Sequence, residues 1–134
     1  ESELRGLAKN LGVAGHIDFL GYIPHDELPG YYATSDVFVL PSRNEGMSNT
    51  VLEAMAAGLP IITTDTGGTR ELIAGNGLVI PQGQPDAIAG AILQYLSDPQ
   101  LRQNHGNQSR ALSELADWKQ VAEQYITYYR RFLR

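Results

Sequence analysis

Residues 36–68 read DVFVLPSRNEGMSNTVLEAMAAGLPIITTDTGG, and two short apolar runs in them flank a segment of helix-forming residues. The runs, residues 37–40 and 61–64, are continuous and rich in Val and Ile, which is typical of strands buried on both faces of a sheet. Residues 50–57 between them favour a helix, and the Gly-Leu-Pro that follows predicts its end. We therefore expect a strand–helix–strand unit with two parallel strands.

The sequence on both sides of this unit continues the alternation of helices and strands. Apolar spacing predicts helices over residues 2–11 and 26–34, and a short strand over residues 17–19. Further along the chain, residues 69–73 favour a short helix and residues 78–80 a short strand. The predicted fold class is therefore α/β, a partial Rossmann-like parallel sheet of four strands with flanking helices on both faces.

The residues from Pro85 onwards favour helices only. We therefore expect a single domain over residues 1–134, in which residues 1–84 form the sheet and its helices. Residues 85–134 then form an all-helical segment at the end of the domain.

The last predicted helix, residues 118–132, carries aromatic side chains at helical spacing: Tyr125, Tyr128, Tyr129 and Phe132. We expect this aromatic stripe to pack on the protein. Three cations lie beside it: Arg130, Arg131 and Arg134. The alternative is therefore a peripheral contact with a membrane surface.

The composition fits one globular domain and excludes several kinds of partner. The chain has 134 residues, of which 43% are hydrophobic, and no apolar run approaches the roughly 20 residues that cross a bilayer. Residues 11–101 contain only Arg43 and Arg70 against ten acids, so we expect no nucleic-acid partner. The absence of cysteine excludes disulfides and thiolate metal sites. We interpret the histidines, which lack metal-ligand spacing, as surface or turn residues: His16, His25 and His105.

Three loops follow predicted strands, at residues 21–24, 41–49 and 65–71. Because ligands of open parallel sheets bind outside the carboxyl ends of the strands, we expect these loops to converge on one site. The second loop runs through Gly46 into the start of a helix, whose free N–H groups bind anions such as phosphate. The alternative is that Ser48 or Asn49 only caps this helix.

Two carboxylates and a pair of glycines complete the candidate site. Glu45 lies before the helix and Glu53 about one turn inside it, so they could flank a ligand and accept hydrogen bonds from its hydroxyls. The alternative for Glu53 is a solvated acid near a helix start. Gly67 and Gly68 precede another predicted helix and offer a second anion site, with a plain turn as the alternative.

Five segments in order resemble the retaining GT-B glycosyltransferases of family GT4, the glycosyl transferases group 1. The signature segment is residues 45–60, in which seven residues separate Glu45 from Glu53. The other segments are similar to the base-binding loop, the strand before the signature, the Gly-Gly-x-x-Glu turn and the strand after it: residues 19–24, 35–42, 64–71 and 76–81. The resemblance covers essentially the whole chain and implies the C-terminal, donor-binding half of a GT-B enzyme.

The resemblance implies a role for each matching residue. Glu45 would be the catalytic residue that binds hydroxyls of the transferred sugar, and Glu53 would bind the ribose hydroxyls. Gly67 and Gly68 would support the same cleft. Loop and helix-start residues would bind the nucleobase, the sugar and the diphosphate of the donor: Tyr22, Ile23, Gly46, Met47, Ser48, Asn49 and Thr50.

The implied reaction transfers a hexose from a UDP-, GDP- or ADP-sugar to a glycan, lipid or small-molecule acceptor, with retention of configuration. The resemblance implies no cofactor and no metal, because helix dipoles and cations neutralise the leaving diphosphate. A glycosidase would also use two carboxylates, but it would leave the glycine-rich helix starts unexplained. The alternative within the same fold is a non-catalytic module that binds a nucleotide or a protein partner.

In this family an Arg and a Lys that contact the diphosphate, together with an acceptor-binding N-terminal domain, lie upstream of the position of Glu1. We therefore expect a truncated nucleotide-sugar-binding domain that binds its donor weakly and is inactive alone. Uncovered apolar surface would favour self-association. Without a visible signal peptide or cysteine, we expect a cytoplasmic location, or one at the inner face of the membrane.

Overall fold

The computed structural model describes residues 1–46, 48–115 and 118–132. Three strands, β1 (Phe38–Leu40), β2 (Ile61–Thr64) and β3 (Gly77–Ile80), form a parallel sheet in the order β1-β2-β3. The described residues also form seven helices: α1 (Ser2–Asn10), α2 (Leu28–Ala33), α3 (Asn49–Ala56), α4 (Thr69–Leu72), α5 (Pro85–Ser97), α6 (Pro99–Leu115) and α7 (Trp118–Phe132). A 3₁₀ turn, Ala14–His16, follows α1. Met47, expected at the donor site, and Arg134, one of the cations beside the aromatic stripe, lie outside the described residues.

Strand β2 lies at the centre of the sheet, and all four of its residues are buried. Ile61 packs on one face against Val51, Ala54 and other buried side chains of the α3 segment. Ile62 packs on the other face against residues that include Tyr95 of α5. Since consecutive strand residues point to opposite faces, this central strand is covered by helices on both sides, as its continuous apolar sequence predicted.

Two close backbone approaches occur, one between neighbouring strands and one between α6 and the turn that follows α3. A Cβ at Gly77 would lie 2.3 Å from the carbonyl oxygen of Ile61, so only glycine fits at the start of β3. A Cβ at Gly106 of α6 would lie 2.5 Å from the carbonyl oxygen of Gly58, which follows α3 with a φ of +79°. The guanidinium of Arg110 donates to the carbonyl of Ala56 across 2.7 Å. These contacts fix the carboxyl end of α3 against α6.

The strand expected at residues 17–19 does not form, so the prediction of a fourth strand is wrong. Ile17 is extended, with φ −129° and ψ 120°, but among the described residues only three segments pair as a sheet. The carbonyl of Phe19 accepts a hydrogen bond from the Arg5 guanidinium instead, at 3.2 Å. An extended segment becomes a strand only where a neighbouring strand offers backbone groups to pair with it.

The aromatic stripe of α7 does not pack on the domain, so this expectation is also wrong. Its rings are 57–68% exposed: Tyr125, Tyr128, Tyr129 and Phe132. They contact one another, with ring centroids 4.9 Å apart for Tyr128 and Phe132. The rings therefore cluster with one another along α7 and do not pack against the sheet. Within the described ranges, no helix combines the length and the apolar character that a membrane crossing requires.

Candidate functional site

The loops that follow β1 and β2 leave the same edge of the sheet, and the loop after β1 contacts the last residue of β2. Leu40 and Thr63 are register partners, so the two parallel strands end side by side. The hydroxyl of Thr64 donates to the carbonyl of Ser42. The hydroxyl of Ser42 in turn donates to Glu45 Oε1 across 3.2 Å. Half-buried Glu45 is therefore held at the carboxyl edge of the sheet by Ser42, which is itself bonded to the last residue of β2.

The start of α3 lies in the same loop and carries no side-chain cap. Ser48 occupies the capping position with φ −80° and ψ 118°, but it makes no capping hydrogen bond. Its hydroxyl lies 2.9 Å from that of Thr50 instead. Gly46, Asn49 and Thr50 are exposed. The interpretation of Ser48 as a plain cap is therefore wrong, and the positive end of the α3 dipole faces solvent without a capping side chain from Ser48.

Glu53 lies about one turn further along α3, and both of its carboxylate oxygens have protein partners. His25 Nε2 lies 3.0 Å from Oε1, and the hydroxyl of Tyr32 donates to Oε2 across 3.1 Å. The Glu53 side chain is 29% exposed, whereas that of His25 is 83% exposed. The alternative of Glu53 as a freely solvated acid is therefore wrong. Glu45 and Glu53 contact different partners, one at the sheet edge and the other against α2.

Tyr32, which is half-buried against the core cluster around α3, reaches Glu53 through its hydroxyl. Its ring lies edge-on to that of Phe38, with centroids 6.0 Å apart and planes at 67°. Burial, followed by the hydrogen bond to Glu53 and the negative charge of Glu53, raises the pKa of Tyr32 to about 12. Tyr32 is therefore a protonated hydrogen-bond donor throughout the neutral pH range.

A cavity of about 410 Å³ adjoins the Glu53 carboxylate. Most of its wall is apolar and comes from α2 and the carboxyl end of α3. The lining residues are His25, Pro29, Tyr32, Ala33, Glu53, Ala56 and Ala57. Of these, only Glu53 was predicted as a site residue from the sequence.

Sequence reasoning missed His25 and Tyr32 as partners of Glu53. His25 was interpreted as a surface residue, and it is exposed, but its ring contacts the carboxylate. Tyr32 gave no signal, because its partner lies 21 residues away on another helix. The interpretation of His105 as a surface residue is wrong, since its Nδ1 lies 2.8 Å from the hydroxyl of fully buried Tyr95.

The remaining predicted residues lie in the first and third loops. Tyr22 is 90% exposed, and Ile23 beside it is half-buried. Gly67 and Gly68 precede the four-residue helix α4, and the buried hydroxyls of Thr66 and Thr69 bond to each other across this turn. The part of the chain that the structure describes contains no group of three or more His, Asp or Glu side chains arranged to hold a metal ion.

The sequence model of the glycosyl transferases group 1 matches residues 1–112. The chain therefore belongs to this family, and its parallel sheet with flanking helices is the fold predicted for the C-terminal half of a GT-B glycosyltransferase.

Three known proteins illustrate the similarity. The GDP-mannose-dependent alpha-(1-6)-phosphatidylinositol monomannoside mannosyltransferase of Mycobacterium tuberculosis is 40% identical over 104 residues, which are 71% of this chain and 27% of that protein. The structure of sucrose-phosphate synthase from Thermosynechococcus elongatus matches 98% of this chain and 34% of its own, with a TM-score of 0.86 and 30% identity. Anabaena HepE in complex with UDP matches 94% of this chain and 36% of its own, with a TM-score of 0.83 and 25% identity. The chain thus spans 27–36% of the length of these proteins.

Proposed function

We propose that this chain is the nucleotide-sugar-binding domain of a retaining glycosyltransferase that transfers a hexose to an acceptor. The observation that carries the proposal is the uncapped start of α3 at the carboxyl edge of the sheet, with Glu45 before it and Glu53 one turn inside it. Membership of the group 1 glycosyltransferases supports the same function.

The diphosphate of the donor binds at the first turn of α3. The free N–H groups and the positive dipole end there stabilise negative charge, and the charge that develops on the leaving diphosphate is largest in the transition state. Gly46 leaves room for close approach, and the amides of residues 48–50 supply the donors. We propose that no metal ion takes part, because this helix end supplies the neutralising field.

The two carboxylates bind the hydroxyls at either end of the diphosphate. Glu45, oriented by Ser42, accepts hydrogen bonds from the transferred sugar, and Glu53 accepts them from the ribose. Tyr22 and Ile23 line the nucleobase, and the turn at Gly67 and Gly68 supports the cleft from the neighbouring strand.

The proposed donor is a UDP-, GDP- or ADP-sugar. The mycobacterial relative is named as GDP-mannose-dependent, and Anabaena HepE was solved with UDP, so the family includes proteins that use or bind either nucleotide. Because the chain spans 27–36% of such proteins, we propose the transfer step for a longer protein that also carries an acceptor-binding domain. The chain alone then binds its donor weakly and does not turn over.

A titration of the isotope-labelled chain with UDP, GDP and ADP, followed by NMR, tests the proposal because it detects millimolar binding. We expect one nucleotide to shift the amides of residues 48–53 and 21–24 most strongly. A Glu53→Gln variant should bind that nucleotide about fivefold more weakly, since one charged hydrogen-bond acceptor is lost. The matched control Glu3→Gln removes an exposed carboxylate from α1 and should change nothing. Absence of any shift at residues 48–53 with all three nucleotides would contradict the proposal.

A further inference from the structure

We propose that Tyr32 is a positioning residue that orients the Glu53 carboxylate toward the two adjacent ribose hydroxyls of a nucleotide, and thereby sets the preference for ribonucleotides. The inference rests on the function proposed above, in which Glu53 meets the ribose. It adds a residue from a different helix, in a segment to which no nucleotide contact was assigned.

The position of Tyr32 allows it to fix the carboxylate. Glu53 extends from α3, and a long side chain of this kind adopts several rotamers in solution. Tyr32 extends from α2, and its ring is held edge-on against Phe38 in the core cluster under α3. Its hydroxyl donates to Glu53 Oε2 across 3.1 Å. The hydrogen bond therefore ties the free end of Glu53 to the core, which removes rotamer freedom before any ligand binds.

The hydrogen bond leaves acceptor capacity for a diol. A carboxylate has two oxygens with about four acceptor positions, and Tyr32 uses one of them. His25 approaches the other oxygen at 3.0 Å, but its side chain is 83% exposed. An exposed contact of this kind contributes little, so a ligand can displace the imidazole at small cost. Two hydroxyls on adjacent carbons can then meet the two carboxylate oxygens.

The hydroxyl of Tyr32 also remains a hydrogen-bond donor over a wide pH range. A tyrosine hydroxyl is protonated at neutral pH, and burial, which raises the pKa of Tyr32 to about 12, extends this state further into the alkaline range. The arrangement thus orients Glu53 without adding a charge that would compete for its oxygens.

The test compares each nucleoside diphosphate with its 2′,3′-dideoxy counterpart, which lacks both ribose hydroxyls. NMR titration of the chain gives a Kd for each ligand, and the ratio of the two values measures the preference for ribose. We expect Tyr32→Phe to weaken binding of the ribonucleotide about fivefold and to leave the Kd of the dideoxynucleotide unchanged, because the phenyl ring preserves the packing on Phe38.

The matched control is Tyr31→Phe. It removes a hydroxyl from the adjacent position of α2, where Tyr31 is 41% exposed, without removing either of the two groups that contact Glu53. It should leave both Kd values unchanged. The amide spectrum of each variant, compared with that of the unmodified chain, establishes that it is folded.

The outcomes separate this inference from the function on which it rests. If Tyr32→Phe leaves the ratio of the two Kd values unchanged, or weakens the binding of both ligands equally, the role of Tyr32 is overturned and the proposed function remains in place. Equal binding of both ligands by the unmodified chain overturns the ribose contact of Glu53 and the inference with it. If the unmodified chain binds no nucleoside diphosphate at all, the proposed function itself is overturned.

Discussion

The hydroxyl of Ser42 donates a hydrogen bond to Glu45 Oε1 across 3.2 Å, and the carbonyl of the same Ser42 accepts one from Thr64. A residue two positions after β1 therefore orients a carboxylate of the candidate site and also joins the ends of two neighbouring strands. Because Thr64 is a buried residue of the central strand β2, the two hydrogen bonds of Ser42 tie the position of the Glu45 carboxylate to the centre of the sheet.

Glu45→Gln should separate binding of the sugar from binding of the nucleotide. The substitution preserves size but replaces a charged acceptor, so contacts with sugar hydroxyls weaken while the diphosphate and ribose contacts persist. We expect the Kd of the preferred nucleotide-sugar to rise about fivefold and that of the nucleoside diphosphate to stay constant, as measured by NMR titration. Ser42→Ala should also raise the Kd of the nucleotide-sugar without changing that of the nucleoside diphosphate, but by a smaller factor. An equal rise in the Kd of both ligands would instead indicate that Glu45 contacts the nucleotide.

His25→Ala should strengthen the binding of ribonucleotides or leave it unchanged. The exposed imidazole lies 3.0 Å from the oxygen of Glu53 that we expect the ribose to use, so its removal frees that acceptor. Exposed pairs of this kind contribute about 0–1 kcal/mol, which limits the gain in affinity to about fivefold. The measurement is the Kd of the preferred nucleoside diphosphate at constant pH. A weaker affinity in His25→Ala would show that the imidazole helps to hold the ligand.

Two glycine substitutions should have opposite effects on stability. At Gly77 an added Cβ would lie 2.3 Å from the carbonyl oxygen of Ile61, so Gly77→Ala should lower the free energy of unfolding by about 1–3 kcal/mol. The control, Gly90→Ala, adds the same methyl group to α5 at a position with no atom within 4 Å. It should raise the free energy of unfolding by about 0.5–1 kcal/mol, because alanine favours the helix. Urea titration measures both values, and destabilisation by both variants would contradict this packing.

The contact between Tyr95 and His105 should make the domain sensitive to mild acid. Burial lowers the pKa of His105 in the folded state, so the unfolded chain binds more protons as the pH falls through the ordinary histidine range near 6.5. The contribution of neutral His105 to stability is therefore complete above that range and decreases below it.

The free energy of unfolding, measured at pH 7.5 and pH 5.5, should decrease toward acid, and it should decrease less in His105→Gln. Tyr95→Phe serves as the comparison, because it keeps the ring in the core but removes the hydroxyl bonded to His105 Nδ1. We expect it to cost about 1 kcal/mol at pH 7.5. An equal decrease with pH in the unmodified chain and in His105→Gln would rule out His105 as the source of the sensitivity.

The sequence predicted those parts of the fold that depend on local pattern. The apolar runs at residues 37–40 and 61–64 both form strands as predicted, and the glycine turn ends α3, but only β2 is buried throughout, whereas β1 is half-buried. The segment at residues 17–19 has strand-like composition, but pairing requires a partner that the residues themselves cannot specify. In the same way, an aromatic stripe predicts a helix face but not the surface that covers it, and the stripe of α7 is exposed.

The candidate site likewise contains one feature that the sequence predicts and one that it does not. The spacing of Glu45 and Glu53 around a helix start is visible in the sequence, because both lie within one loop and one turn of α3. The contact of Tyr32 with Glu53 depends on how α2 packs against α3, and no periodicity encodes that distance. Long-range contacts of this kind are determined by tertiary packing, so they had to be read from the structure.

A crystal structure of the chain with its preferred nucleoside diphosphate tests the proposed donor site most directly. We expect the diphosphate to lie against the amides at the start of α3 and the ribose hydroxyls to lie within hydrogen-bonding distance of Glu53. A nucleotide bound away from the α3 terminus, with neither Glu45 nor Glu53 near its sugar groups, would contradict this proposal.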